Sequence, residues 1–426
     1  MEAQVEPREA KKRPTPPEAE EHPFGAPPKD LPAHDPAPPA RVTDTVGVRL
    51  DILDLGKKSD RARFLEVTEP LYRGDPYYIE PLRMERMHLL DLPHNPAMKD
   101  IEAHVIIATK DGRDVGRLTA HLDHAYDRYH GTKSGWFGFF ECINDKKVAH
   151  AMFAQGMRWL RQKGAVDCIG PMNFNTNQQC GLLVENFDRP PMVEMTYNPR
   201  YYEPLITSYG FKKAKDLFVY WIDVHAPLEN PKIARVAKIA EKIKQREGVS
   251  IRHGDKRRWK EEVELLFSIY NRAWTKNWGY VPVNKAEFEQ LANSVKPILR
   301  EEVVLIVEVR GDPVGFAMTL PDVNEIMPRN GKLLPLGWAK MLTGMRKIRT
   351  GKIKHGRLMV LGMAPEYRKR GLESLLFLET ALRCNQIGLH SGEVGWTLED
   401  NHLINRAVES MDGKLDRRYR LFGLTL

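Results

Sequence analysis

The feature that most constrains this chain is an internal repeat. The stretch EAHVIIATKDGRDVGRLTAHLD, residues 102–123, returns as EEVVLIVEVRGDPVGFAMTLPD, residues 301–322. A constant offset of 199 carries Gly112 onto Gly311, Val115 and Gly116 onto Val314 and Gly315, and Asp123 onto Asp322. Each copy reads as an apolar run, a short glycine-bearing turn and a second run, which is the pattern of a β-hairpin. A match at fixed offset predicts one supersecondary unit used twice.

A second correspondence lies near the end of each half. Asn198 opens a helix-like run that stops at Gly210, before KDLFVYWIDV; Asn401 opens another that stops at Gly413, before RRYRLFGLTL. Asn is a good N-cap and Gly a good helix stop. Between these landmarks stand WFGFFECI and a helix-like run over 146–163 in the first half, and GRLMVLGM and a run over 372–387 in the second. The predicted fold class is therefore α/β (α+β): two tandem modules, 46–225 and 226–426, each a mixed, mostly antiparallel sheet flanked by helices. Residues 1–45 hold eleven prolines before Arg41 and almost no large apolar side chains, so they read as a disordered tail.

Net charge is +8 over the chain, and the tail contributes −3, leaving about +11 on the folded part. That balance favours anionic partners such as nucleotide phosphates or a membrane surface. No apolar run approaches the roughly 18 residues of a spanning helix, and the first residues have no apolar core, so neither a membrane span nor a secretory signal is expected. Cys142, Cys168, Cys180 and Cys384 lie too far apart for zinc or a disulfide framework, so no metal site and a reducing, cytoplasmic setting are expected.

The chemistry-bearing stretch is VLGMAPEYRKRGLESLLF, residues 360–377. It sets Arg368, Lys369, Arg370 and Gly371 between a strand and a helix, where free N–H groups of the first turn and nearby cations can receive a phosphate. The order of elements, with YRKRGLESLLF opening the central helix and WTLEDNHLINRAVESMDGK carrying the late one, resembles the GNAT superfamily of acyl-CoA-dependent N-acyltransferases. The resemblance covers nearly all of 46–426. It implies acyl-CoA as donor, with Leu361, Gly362 and Met363 along the pantetheine arm and Arg368, Arg370, Gly371, Leu372 and Ser374 at the pyrophosphate. Glu373 departs from that family's pattern, which has a small residue there. The first half has no such loop, only NDKKVAH. The second module is thus expected to hold the donor and the first to shape the acceptor site.

Amine acylation needs a base, an acid and oxyanion stabilisation. The resemblance implies a Glu base and a Tyr acid on the late helix, but that helix has no Tyr. Glu399, at a strand end, is the first candidate base. Glu141, after four aromatics in five residues, is the second, because burial raises a carboxyl's pKa. Tyr419 on the following strand is the candidate acid. Asn173, Asn175 and Asn177 alternate and would share one face if extended; with Asn401 they are candidate substrate ligands. Residues 332–354 carry seven Lys or Arg and no acid, interleaved with Leu, Met and Trp338. That composition fits a peripheral membrane contact, on the inner face, or a lid over an apolar substrate. Some bacterial GNAT-like enzymes, ceramide synthases among them, acylate sphingoid bases, and the chain resembles such an enzyme. The acceptor is therefore expected to be an amine of lipid-like character, with no nucleic-acid partner. A Fem-like aminoacyl-tRNA-dependent transferase and a non-catalytic acyl-CoA sensor are the alternatives.

Overall fold

A computed structural model describes residues 47–275 and 277–426; the proline-rich tail lies outside the described residues. Among those described, thirteen strands form one sheet. They are β1 (Val48–Leu53), β2 (Ile101–Lys110), β3 (Arg113–Asp123), β4 (Ser134–Cys142), β5 (Asp167–Gly170), β6 (Leu182–Glu185), β7 (Lys212–Asp223), β8 (Val249–His253), β9 (Val304–Val309), β10 (Asp312–Pro321), β11 (His355–Met363), β12 (Ser391–Leu398) and β13 (Lys414–Thr425). Their order is β1-β2-β3-β4-β5-β13-β7-β12-β11-β10-β9-β8, with β6 on β13. Only β4–β5 and β11–β12 are parallel.

The repeat is the pair of hairpins β2–β3 and β9–β10. Asp111 and Gly112 have φ of 50° and 72°, and Arg310 and Gly311 have 52° and 85°. Two consecutive left-handed residues match the twist of a tight hairpin, and glycine takes the second position without a Cβ penalty. The second copy begins later than its sequence match, because Glu301–Val303 form a 3-10 turn before β9.

The last strand of each half crosses to the other. β13 pairs with β5 over Gly170–Asp167, and β7 pairs with β12 over Asp223–Leu217. The two crossed strands pair antiparallel along their length, from Lys414↔Trp221 to Gly423↔Lys212. One sheet thus runs through both halves, with a separate apolar core beneath each: one around the helix Lys146–Gln162, the other around the helix Leu372–Gln386.

The two expected N-caps part company. Asn401 caps the helix His402–Ser410, accepting the Ile404 N–H. Asn198 caps nothing: its amide brackets Leu183, accepting from its N–H at 2.8 Å and donating to its carbonyl at 3.1 Å, and the helix starts later, at Tyr202. Pro199 follows Asn198 and disfavours helical geometry there, which displaces the start.

Candidate functional site

The parallel pairing of β11 with β12 extends only from His355↔Ser391 to Leu358↔Val394. Beyond it β11 follows β10 to Met363, while β12 follows β7 to Leu398. Register shifts at Met318/Thr319 and Gly395/Thr397 accompany the parting, as bulges re-aim strands. The facing edges of the two strands lose each other as ladder partners, and a cavity of about 320 Å³ opens between them.

Its roof comes from the long insertion between β8 and β9. The helices Trp259–Ala273 and Lys285–Val295 bring Trp259, Tyr270, Trp274 and Phe288 over the sheet face of Phe316 and Val360. Trp274 stacks on Tyr270, ring centres 4.5 Å apart, and lies on Gly362, where a Cβ would come within 2.0 Å of the indole. Gly362 is thus the position that admits the roof. Thr176, Asn177, Gln178, Gln179, Glu194 and Asn401 form a polar margin.

β11 leads into the loop and the helix Leu372–Gln386. Gly371 has φ of 85°, and a Cβ there would meet Ile243 at 2.6 Å, so glycine is needed on two counts. The first turn of the helix leaves its N–H groups without intrahelical acceptors. Arg370 is exposed, reaching Glu247 at 3.5 Å and covering the Tyr367 ring, and Lys369 is exposed at φ 61°. These residues fit an anionic group at the helix start. Arg368 does not face that way: its guanidinium donates to the carbonyl of Met363 at 3.1 Å and to that of Ala273, tying the loop to the roof. Leu372 is buried in the core and Ser374 is partly buried. Glu373 is buried and has no ion pair with Arg368 or Lys369 within 4 Å; among the described residues its Oε1 has no hydrogen-bond partner.

No family model matches the chain. It is 33% identical over 385 residues to a bacterial ceramide synthase of Caulobacter vibrioides, covering 89% of this chain and 98% of that protein. It is 32% identical over 370 residues to protein YghO of Escherichia coli, covering 86% and 93%. In structure it is similar to a tandem GNAT protein of the clavulanic acid pathway, with TM-score 0.53 at 12% identity over 89% of this chain and 98% of that one. The chain belongs to one family with these two bacterial proteins. It has the tandem form of the GNAT fold.

Within this tandem GNAT chain the candidates named from sequence separate. Leu361, Asn177 and Asn401 line the cavity; Gly362 lies under its roof; Met363 is buried against Gly315 and is not among the lining residues. Glu399 points elsewhere. Its carboxylate takes the Lys213 ammonium at 2.6 Å and the Asp216 N–H at 3.0 Å, so it fastens β12 to β7 and is not among the cavity-lining residues. Tyr419 is wholly buried at the centre of the sheet, where burial pushes its hydroxyl pKa up.

The three alternating asparagines do not share a face, because the segment turns rather than extends; Phe174 has φ of 83°. Asn173 accepts the Phe139 N–H at 2.8 Å, Asn175 donates to Glu287 at 2.8 Å, and Asn177 accepts the Tyr270 hydroxyl at 2.9 Å. Glu287, in the roof and unremarked in the sequence, is held up to about 7 by burial, against the donors Asn175 and Gln178.

Glu141 lies in the first half's counterpart of the cavity. It stands opposite Arg117 as Gly362 stands opposite Phe316. The hydroxyls of Tyr72 and Tyr202 donate to it at 2.8 and 2.7 Å, and Arg117 is 3.6 Å away. Burial lifts it to about 7 despite these partners. It does not line the second-half cavity.

Sequence reasoning missed Glu194, which lines the cavity in a left-handed conformation, φ 59°. Nothing local in PPMVEMTYNP marks it, because the side chains that hold its neighbour Val193, those of Asp322 and Arg357, lie more than a hundred positions away. Among the described residues no group of three or more His, Cys, Asp or Glu gathers as a metal site.

Proposed function

We propose that the chain transfers an acyl group from a CoA thioester to an amine, and that the amine carries a long aliphatic chain, as a sphingoid base does. The observation that carries this reading is the open gap between β11 and β12 beneath an aromatic roof. The gap offers backbone edges to an extended pantetheine arm along Leu361, Gly362 and Met363. The start of the helix Leu372–Gln386, with exposed Lys369 and Arg370, offers N–H groups and charge to the pyrophosphate. Tyr270, Trp274 and Phe288 offer an apolar wall to a chain. Similarity to a protein named bacterial ceramide synthase supports the same acceptor class. On this reading the division of labour falls near 225/226, with the donor on the second module and the first completing the acceptor side through Thr176–Gln179 and Glu194.

The same reading gives 332–354 a role at a lipid surface. Its helix, Gly337–Arg349, ends in Arg346, Lys347 and Arg349. Leu334 is 78% exposed and Leu336 73%, with Trp338 and Leu342 about half exposed beside them. Exposed leucines among cations suit shallow insertion into an anionic surface. No described helix is long and apolar enough to cross a membrane.

The test is to incubate purified protein with acyl-CoAs of graded length and with short and long-chain amines, following free thiol and identifying amides by mass spectrometry. Stoichiometric thiol and long-chain amide are expected. Tight thioester binding without turnover on any amine would replace the enzyme reading by that of a sensor.

A further inference from the structure

Four carboxylates line the cavity: Glu194, Asp255, Glu262 and Glu301. Three are engaged. Glu262 pairs with Arg252 at 2.8 Å, Asp255 with Arg257 at 2.9 Å, and Glu301 accepts the Lys256 N–H at 2.6 Å. Glu194 is in no ion pair among the described residues and accepts one side-chain hydrogen bond, from Gln179 at 3.3 Å.

Its position is set by the point where the strands part. Arg357 occupies the last paired position but one on β11, opposite Glu393. Its buried guanidinium donates to the Gly395 carbonyl at 3.1 Å, just past the divergence on β12, and to the Val193 carbonyl at 2.7 Å. The Val193 N–H in turn donates to Asp322 at 3.2 Å. The residue after Val193 is therefore held beside the opening, and it is Glu194 that stands there, in a left-handed conformation unfavourable for a residue with a Cβ. Such strain persists where the surroundings over-determine it, and it concentrates at functional sites.

The carboxylate is also aimed. Arg86 donates to Gln179 Oε1 at 2.5 Å, which turns the amide so that its NH2 faces Glu194. Arg357 and Glu85 also interact electrostatically with Glu194.

We propose that Glu194 receives the proton of the attacking amine, with Gln179 and Arg86 as positioning residues; this rests on the acyl-transfer reading above. The amine enters neutral, its first proton left in solvent. Its nitrogen lone pair attacks the thioester carbonyl carbon, the C–N bond forms, and one N–H proton passes to the Glu194 carboxylate. The C–S bond breaks with its electron pair on sulfur, and the protonated Glu194 returns that proton to the thiolate. The products are an amide and a free thiol, with the carboxylate restored.

The test compares wild type with Glu194→Gln and Glu194→Asp, using palmitoyl-CoA with sphinganine or whichever pair of the panel above turns over fastest. Glu194→Gln is expected to lower kcat by about 10²–10⁴-fold, the range of a positioned proton acceptor. Palmitoyl-CoA affinity by calorimetry should stay within about twofold. The deficit should shrink as pH rises and hydroxide takes over proton removal. Glu194→Asp keeps the charge one methylene short, so it should recover part of the rate, and it answers the question if the Gln variant folds poorly. Gln179→Leu should cost about tenfold in kcat at unchanged thioester affinity. Wild-type turnover retained within about threefold by both Glu194 variants would overturn this assignment alone. Absence of transfer by the wild type to any amine would overturn the acyl-transfer reading and this assignment with it.

Discussion

The two halves build the same opening and treat it in opposite ways. In each, a parallel strand pair parts after three or four residues: β4 from β5 beyond Trp136↔Ile169, and β11 from β12 beyond Leu358↔Val394. In the first half the gap is filled by the chain itself. Met172 donates its N–H to Phe137 at 2.7 Å, Asn173 accepts from Phe139, and the Met172 carbonyl sits where a Cβ on Gly138 would be, 1.9 Å from it. Glu141, held by Tyr72 and Tyr202, occupies the position that is Gly362 in the second half. There the gap stays open, and only an indole ring lies against the glycine. The repeat thus contains two equivalent partings of strands, and side-chain and loop choices fill one and leave the other open. The connectors differ likewise. Between β3 and β4 there is one short helix, His124–His130, whereas between β10 and β11 the chain inserts the exposed basic segment.

The two glycines give the sharpest test of that contrast. Gly138→Ala sets a methyl against backbone, which cannot swing away, so a loss at or beyond the upper end of the usual overpacking cost of about 1–3 kcal/mol is expected by urea unfolding. Gly362→Ala sets it against a side chain that can move. It should cost less stability but displace Trp274 from the roof and weaken thioester binding at least tenfold by calorimetry. Equal stability losses with intact binding would erase the distinction between a filled and an open gap.

The loop offers the next largest effect. Replacing Lys369 and Arg370 together by Ala should weaken acyl-CoA binding by about 1.5–3 kcal/mol for each charge-assisted hydrogen bond removed, with little change in unfolding. Arg368→Ala should do the reverse, since that side chain clamps the loop to the roof. Identical behaviour of the two variants would break the assignment of inward and outward arginines.

Glu141 sharpens the comparison through pH. Its folded pKa, about 7, lies above that of an unfolded glutamate. The native state therefore holds the proton more tightly, and the stability this brings is present below about pH 4.5 and lost as pH rises toward 7. Glu141→Gln should flatten that part of the stability curve, leaving the declines from Glu287 and Asp322, also raised to about 7, and from Asp123, raised to about 6. Turnover should be unaffected; a large loss would mean that the first-half opening takes part in chemistry.

The smallest effect expected is at the connector. Trp338→Ala should reduce sedimentation with anionic vesicles by a few-fold at any salt, because its contribution is apolar burial. Charge neutralisation of 346–349 should reduce it only at low salt, where screening is weak. Wild-type sedimentation by both variants would leave this segment without a lipid role.

Several features were legible in the chain because they are local. The hairpins follow from alternation and from glycine at a left-handed turn. The helix after Gly371 follows from its apolar spacing, and the cationic loop stands before it. The asparagines misled because their alternation implies a shared face only in an extended segment, and this one turns at Phe174. Glu399 misled because its strand end is close to the cavity in sequence while Lys213, from the crossed strand β7, draws the carboxylate away.

The sequence by itself determined the duplicated α/β units, the family to which they belong and the loop that opens the central helix. Each of these shows in patterns along the chain: local turn and helix signals, their order, and their return at a fixed offset. Tertiary structure alone decided the exchange of β7 and β13, the filling of one opening, the roof over the other and the placing of Glu194. Those depend on which edges pair across about 200 residues and on buried groups such as Arg357, whose partners Val193 and Gly395 lie 164 and 38 positions away. No periodicity encodes a pairing of that kind, because the free energy that selects it is released only when both halves are already folded against each other.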